Sequence, residues 1–177
     1  DHPRLAVRGI KIFLDGTLRA RTAALLSPYA DQPGTLGELR IAAKEIPERV
    51  ARWTRRGWVV ALHAIGDRAV RLALDALEAS PRPAAGPHRI EHAQVVQRSD
   101  LPRFARAGVV ASVQPGHWRD DRPFLDARLG DRPDIVAHPL ASFSRAGATM
   151  VFGSDWPVSG WNPAVILAAA TSPLRGD

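Results

Sequence analysis

The sequence predicts an α/β fold in which βα units surround a parallel sheet, forming part of a TIM-like (β/α)8 barrel of about five units. Three observations predict it. Apolar, β-like runs alternate along the chain with amphipathic helical runs. Two of those runs end in His63 and His92, whose separation is about one βα repeat, roughly 30 residues. The chain has 177 residues, whereas a closed eight-stranded barrel takes about 250. We therefore read residues 1–177 as one domain, a fragment of something longer. Asp1 in place of Met and the loop-like final run Ser172 to Asp177 fit that reading.

The elements follow in order. The first strand is expected from Val7 to Leu14. After it comes a long connection carrying Ser27-Pro28 and Gln32-Pro33-Gly34, then a helix from Glu45 to Arg56 in which Ile46, Val50 and Trp53 recur at helical spacing. Trp58 to His63 is the second strand. Its helix, Arg68 to Glu78, places Val70, Leu74 and Leu77 on one face, with Asp67 positioned to cap it. The third strand is Arg89 to Ala93, and Ser99 and Asp100 precede a helix from Leu101 to Ala107 as caps. The fourth strand runs from Val109 to Val113 and ends at Gln114-Pro115. From His117 to Pro139 the chain is rich in Asp and Arg and holds prolines at 123, 133 and 139. We expect a loop there, overhanging the C-terminal ends of the strands. The fifth strand is Thr149 to Phe152, and Asn162-Pro163 opens a helix running to Ala170.

Composition narrows the function classes. The formal charge is +6, and Lys11 and Lys44 are the only lysines among 24 basic residues. The arginines are scattered through helical stretches and interrupted by acids, the pattern of a solvated surface rather than of a nucleic-acid interface. Cysteine is absent, which removes disulfides, thiolate metal sites and thiol nucleophiles together. No run approaches about 18 apolar residues, so no membrane span is expected. The expected partner is a small-molecule substrate, with no nucleic acid and no membrane. A homo-oligomer is left open, and the expected location is cytoplasmic.

Four apolar runs end in a metal-competent or proton-handling residue: Lys11, His63, His92 and Asp155. In a parallel barrel the catalytic groups come from the C-terminal ends of several strands. Imidazole and carboxylate are ligands for zinc and similar divalent ions, and a metal-bound water needs a carboxylate to take its proton, a role open to Asp155. A lone strand-end His is ordinarily a hydrogen-bonded structural residue, and Asp before Trp-Pro a turn former. Recurrence at successive strand ends is what favours a site. Strand alternation turns Gly9, Lys11 and Phe13 inward, with Ala61, His63, Val151, Gly153 and Asp155, and sets Glu91 on the face opposite His92. An ammonium inside an apolar strand is costly unless paired or neutralised. A neutral Lys11 amine could take up carbon dioxide as a carbamate and become an anionic oxygen ligand; the alternative is a lysine paired with Asp15 or reaching out of the strand end.

The runs Ile10-Lys11-Ile12-Phe13-Leu14-Asp15-Gly16, His63-Ala64-Ile65-Gly66-Asp67, His88-Arg89-Ile90-Glu91-His92-Ala93-Gln94, Ser112-Val113-Gln114-Pro115 and Gly153-Ser154-Asp155-Trp156-Pro157 resemble the amidohydrolase superfamily. The branch resembled is amidohydrolase family 3, which contains proteins similar to N-substituted formamide deformylase. The resemblance implies a metal-dependent hydrolase barrel acting on a non-peptide C–N bond of an amide, formamide or cyclic amide. It implies one or two divalent metal ions, zinc first among them. Lys11 matches a carboxylated bridging lysine, His63 and His92 match two histidine ligands, and Asp155 matches the metal-binding, proton-shuttling carboxylate. Phe13, Gln114, His117 and Trp156 are the expected substrate-lining residues. The family's opening His-x-His pair has no counterpart, His2 standing alone before Pro3, so the resemblance implies that the first three units of the barrel are missing. That departure favours a competing reading, a non-catalytic remnant or binding module that keeps the fold.

Overall fold

A computed structural model of the chain describes residues 4–172. His2 and residues 173–177 of the expected terminal loop lie outside them. In chain order the strands are β1 (Gly9–Phe13), β2 (Val59–Ala64), β3 (Arg89–His92), β4 (Val95–Gln97), β5 (Val110–Val113), β6 (Ile135–Ala137) and β7 (Met150–Phe152). The helices are α1 (Ile46–Thr54), α2 (Asp67–Glu78), α3 (Leu101–Ala107), α4 (His117–Asp121), α5 (Leu125–Leu129), α6 (Leu140–Arg145) and α7 (Pro163–Ala170). None of the helices among the described residues is long and apolar enough to cross a membrane.

The five expected strands form one parallel sheet in the order β1-β2-β3-β5-β7. One face packs on the helices. Val60, Leu62, Ile90, Ala111 and Val113 bury there against Val50, Val70, Leu74, Leu77, Phe104 and Phe143, with Ile10 and Ile12 partly buried at the rim. The register pairs Lys11 with Ala61, Ala61 with Arg89 and Arg89 with Val110, so these residues share the opposite face. With Val151 they line a groove of about 530 Å³. No strand among the described residues pairs with the outer edge of β1 or of β7. The sheet is therefore open, as a run of units short of a closed ring requires.

Caps and turns set where the helices sit. The Asn162 side chain accepts from the Ala164 N–H at the start of α7, as expected of Asn-Pro. Gly108, at φ 62, ends α3 in the left-handed conformation that glycine adopts without a Cβ penalty. Asp67 is not the cap of α2. It is the first helical residue, and its buried carboxylate goes elsewhere: Oδ1 accepts from the Leu26 N–H at 2.9 Å, while Oδ2 accepts from Gln97 Nε2 at 2.7 Å and Arg132 at 3.0 Å. Asp100 precedes α3 without a side-chain cap and instead pairs with Arg71 and Arg103.

The segment from His117 to Pro139 is not a loop. It folds into α4, α5 and β6, and β6 pairs antiparallel with β4 through Val95–Ala137, Val96–Val136 and Gln97–Ile135. Val95, Leu129 and Ile135 bury in a second cluster with Leu18, Leu25 and Tyr29. The Asp67 contacts to Gln97 and Arg132 tie this two-stranded sheet to the start of α2.

Candidate metal centre

The site begins where β1 ends. Asp15 follows Leu14 and is fully buried. Its Oδ2 accepts the N–H groups of Ala24 and Gly66, each at 2.9 Å, and its Oδ1 accepts that of Ile65 at 3.0 Å. The approach is close enough that a Cβ on Gly66 would lie 2.0 Å from the Ala24 carbonyl oxygen, so glycine is required there. Burial pushes the Asp15 carboxyl up to about 7, against the pull of the three N–H donors and of Arg40. Oδ1 also lies 3.5 Å from His63 Nε2.

His63, on β2, donates through Nε2 to the Gly16 carbonyl at 3.1 Å. That fixes its lone pair on Nδ1, which is buried without a protein partner. His92 closes β3 and would face the helix layer if the strand continued, because its neighbour across the sheet is the core residue Ala64. Instead, φ is 76 at His92 and 44 at Ala93, and the backbone break lets the ring meet His63 edge-on with centroids 4.5 Å apart. Glu91, in register with His63, shares the face of His63 and pairs with Arg89 at 2.9 Å. The face expected for Glu91 is thereby corrected, since His92 reaches the site through left-handed backbone and not through strand alternation. His92 donates from Nδ1 to Gln114 Oε1 at 2.8 Å, and the Gln114 amide is held by its own bond to the Ser112 carbonyl at 3.2 Å. The lone pair of His92 therefore sits on Nε2.

Both imidazoles thus give one N–H to an oxygen and keep the other nitrogen basic, the arrangement ligating histidines take. Burial lowers the basicity of each: His63 titrates below the usual imidazole range, and His92 is pushed down to about 3 by burial and by His63 beside it. Neutral imidazole is the form that binds a metal. Among the described residues no group of three His, Cys, Asp or Glu side chains stands close enough to hold an ion unaided. The fit therefore extends to two nitrogen ligands and needs further donors.

A cavity of about 510 Å³ opens over these rings, lined by His63, His92, Gln94, His117, Asp121 and Asp155 among others. Asp155 reaches it from the turn after β7, with φ 55. Lys11 does not line it. Its ammonium stands 4.9 Å over the Phe13 ring, and that ring lies 4.9 Å from His63. Lys11 is exposed on edge strand β1, so the large desolvation cost expected for it does not arise in these residues. Phe13 is 48% exposed and lies against the site. Phe13, Gln114 and Trp156 are not among the residues lining this cavity, and Trp156 is 68% exposed, whereas the expected lining residue His117 is among them. Gln114 spends both ends of its amide on His92 and Ser112.

Gln94 and Asp121 are given no role by sequence reasoning, and Asp15 only that of a possible partner for Lys11. The signal for Asp15 is a carboxylate directly after an apolar strand; Asp121 lies in a polar run that hides it. Its Oδ2 accepts from the buried His138 at 2.9 Å.

The sequence profile of the Amidohydrolase family matches residues 1–172. The Arabidopsis thaliana protein LONG AFTER FAR-RED 3 is 36% identical over 168 residues, which cover 90% of this chain and 28% of that protein. The putative amidohydrolase YtcJ of Bacillus subtilis is 35% identical over 175 residues, 98% of this chain and 32% of its own length. The crystal structure of an uncharacterized metal-dependent hydrolase from Pyrococcus furiosus superposes with a TM-score of 0.86 at 38% identity, covering 100% of this chain and 36% of that one. The chain thus spans about a third of the length of each of these three proteins.

Proposed function

The chain belongs to the amidohydrolase family, and on that premise we propose that it forms the metal-binding part of a hydrolase that cleaves a non-peptide C–N bond in an amide, formamide or cyclic amide. The observation that carries the proposal is the paired tautomer of His63 and His92, two buried neutral imidazoles each backed by an oxygen acceptor. His63 Nδ1 and His92 Nε2 would hold a divalent ion, zinc by the chemistry of the donors, with Asp155 and a carboxylated Lys11 supplying oxygen. Such an ion, when bound, acidifies water toward a pKa of about 7 and polarises a carbonyl. Asp155 takes the proton of the attacking water and returns it to the departing nitrogen. Gln114 and the Gly16 carbonyl keep the two rings in ligating orientation. Phe13 forms an apolar wall beside His63.

A second reading, a module that keeps the fold without the reaction, is favoured by one observation, the lack of a three-residue ligand group among the described residues. Metal analysis of the purified protein, zinc titration, and amine release from a panel of N-substituted formamides, N-acyl amides and cyclic amides separate the two. The hydrolase reading expects bound zinc that is lost in His63→Ala and His92→Ala, and turnover of one class in the panel. Zinc binding unaffected by either substitution would remove the site.

A further inference from the structure

Three imidazoles line the cavity, and their hydrogen-bond partners set them in two opposite tautomers. The partners of His63 and His92 are oxygens, which only accept, so those rings keep lone pairs. The partner of His117 is Gln94 Nε2, which only donates, 3.3 Å from His117 Nδ1. Nδ1 of His117 is therefore the acceptor, and the proton of the neutral ring sits on Nε2. That nitrogen is buried with no partner in the protein. A buried N–H without an acceptor is costly and calls for one.

The ring is held firmly for such a task. His117 opens α4, its own N–H donating to the Gln114 carbonyl at 3.0 Å. It stacks on His92 with centroids 6.1 Å apart and planes 14° from parallel. Gln94 is fixed in turn where β6 ends, the His138 N–H donating to its carbonyl at 2.6 Å. A donor that faces the same cavity as two ligand-type rings, and cannot itself offer a lone pair, is suited to a substrate oxygen and not to the metal.

Resting on the hydrolase reading, we propose that His117 is a catalytic residue whose Nε2–H donates a hydrogen bond to the carbonyl oxygen of the bound amide. As the water oxygen adds to the carbonyl carbon, the C=O π pair moves onto that oxygen and the water proton passes to Asp155. The His117 proton stays on Nε2, and its bond to the oxygen strengthens as charge develops. When the oxygen pair re-forms C=O, the C–N bond breaks and the nitrogen leaves with the proton from Asp155. Catalysis gains because the donor is in place before the charge appears.

The test reads tautomers directly. In ¹⁵N-labelled protein, with the His117 signals assigned by their loss in His117→Gln, a ¹H–¹⁵N correlation of the imidazoles is recorded before and after Zn²⁺ addition. The proposal expects a protonated Nε2 and unprotonated Nδ1 at His117, unmoved by zinc, while Nδ1 of His63 and Nε2 of His92 shift. An unprotonated His117 Nε2, or one that shifts on zinc binding, overturns the proposal and makes His117 a ligand. Zinc that moves none of the three rings overturns the metal reading alone, because the His117 tautomer is read from its own two nitrogens. With an amide that the protein hydrolyses, His117→Ala should lower kcat about 100- to 1,000-fold with little change in KM, and His117→Gln, which retains an N–H donor, should recover part of the loss. Unchanged kcat in His117→Ala overturns the catalytic role.

Discussion

The carboxylate of Asp15 lies 3.5 Å from Nε2 of His63 while accepting three backbone N–H bonds from two other segments. One buried side chain thus locks the turn after β2 to the connection after β1 and stands behind the imidazole that offers Nδ1. Asp15→Asn replaces an acceptor oxygen with an NH2 group that faces N–H donors. The expected cost is about 1–3 kcal/mol of stability, because a buried donor loses its partner. Zinc affinity should fall about 10- to 100-fold, as it does when the group behind a ligating histidine is altered. Urea midpoints and zinc titration check the two effects separately. Wild-type zinc affinity in a folded Asp15→Asn protein would show that His63 is oriented by the Gly16 carbonyl alone.

The second prediction concerns pH and uses an imidazole away from the metal centre. His88 accepts the Val60 N–H at Nδ1 and donates from Nε2 to the Pro81 carbonyl, each at 3.1 Å. Burial lowers its pKa below the unfolded value of about 6.5. Between the folded and unfolded values the unfolded chain holds more protons. The stability contributed by neutral His88 is therefore present above about pH 6.5 and is lost as pH falls through the folded pKa. In the metal-free protein, His63, His92 and His117 are lowered in the same direction and add to the slope. Urea midpoints should drop between pH 7.5 and 5.5, and His88→Gln should flatten the drop by up to about 1.4 kcal/mol per pH unit. An unchanged slope in His88→Gln would mean that His88 takes its proton without losing its two bonds.

Much of this arrangement is legible in the chain, for identifiable reasons. The five parallel strands are visible because each is a short, largely apolar run set between helical stretches, and α7 because Asn162-Pro163 is a start signal that physics reads locally. The pairing of β4 with β6 is not visible, because each is only three residues long and the partners lie far apart in sequence. His92 comes to stand beside His63 by a route alternation does not give, since alternation assumes a strand that continues and the left-handed turn at His92 and Ala93 ends it. Asp67 looks like a cap because sequence places it at a helix start. Its carboxylate is claimed by Gln97 and Arg132, residues no local rule connects to it.

The third prediction is association of this chain in isolation. β1 and β7 have free edges among the described residues, and α7, entirely apolar, buries only Ala169. Near that end Trp156, Val158 and Trp161 are 68%, 71% and 73% exposed. Unpaired strand edges beside exposed apolar surface favour pairing with further chain. Light scattering coupled to size exclusion should show a mass that rises with concentration. Val165→Lys with Leu167→Lys on the exposed face of α7 should reduce it. A monomer at all concentrations would mean that the edges and α7 do not promote association.

The last prediction separates the two readings of Lys11. The side chain is exposed, with its ammonium over Phe13, so Lys11→Ala should leave stability within about 0.5 kcal/mol of wild type. If Lys11 acts as a carbamate, the same substitution should strip metal and turnover from the zinc-loaded protein, since an anionic oxygen ligand is gone. Bicarbonate with a short carboxylic acid should then restore part of both, the small acid taking the vacated ligand position. His63→Ala and His92→Ala should not respond, because a free carboxylate does not replace an imidazole fixed by the Gly16 carbonyl or by Gln114. Full metal content and turnover in Lys11→Ala would make Lys11 a surface lysine resting on Phe13, and the two histidines would then draw their oxygen ligands from elsewhere.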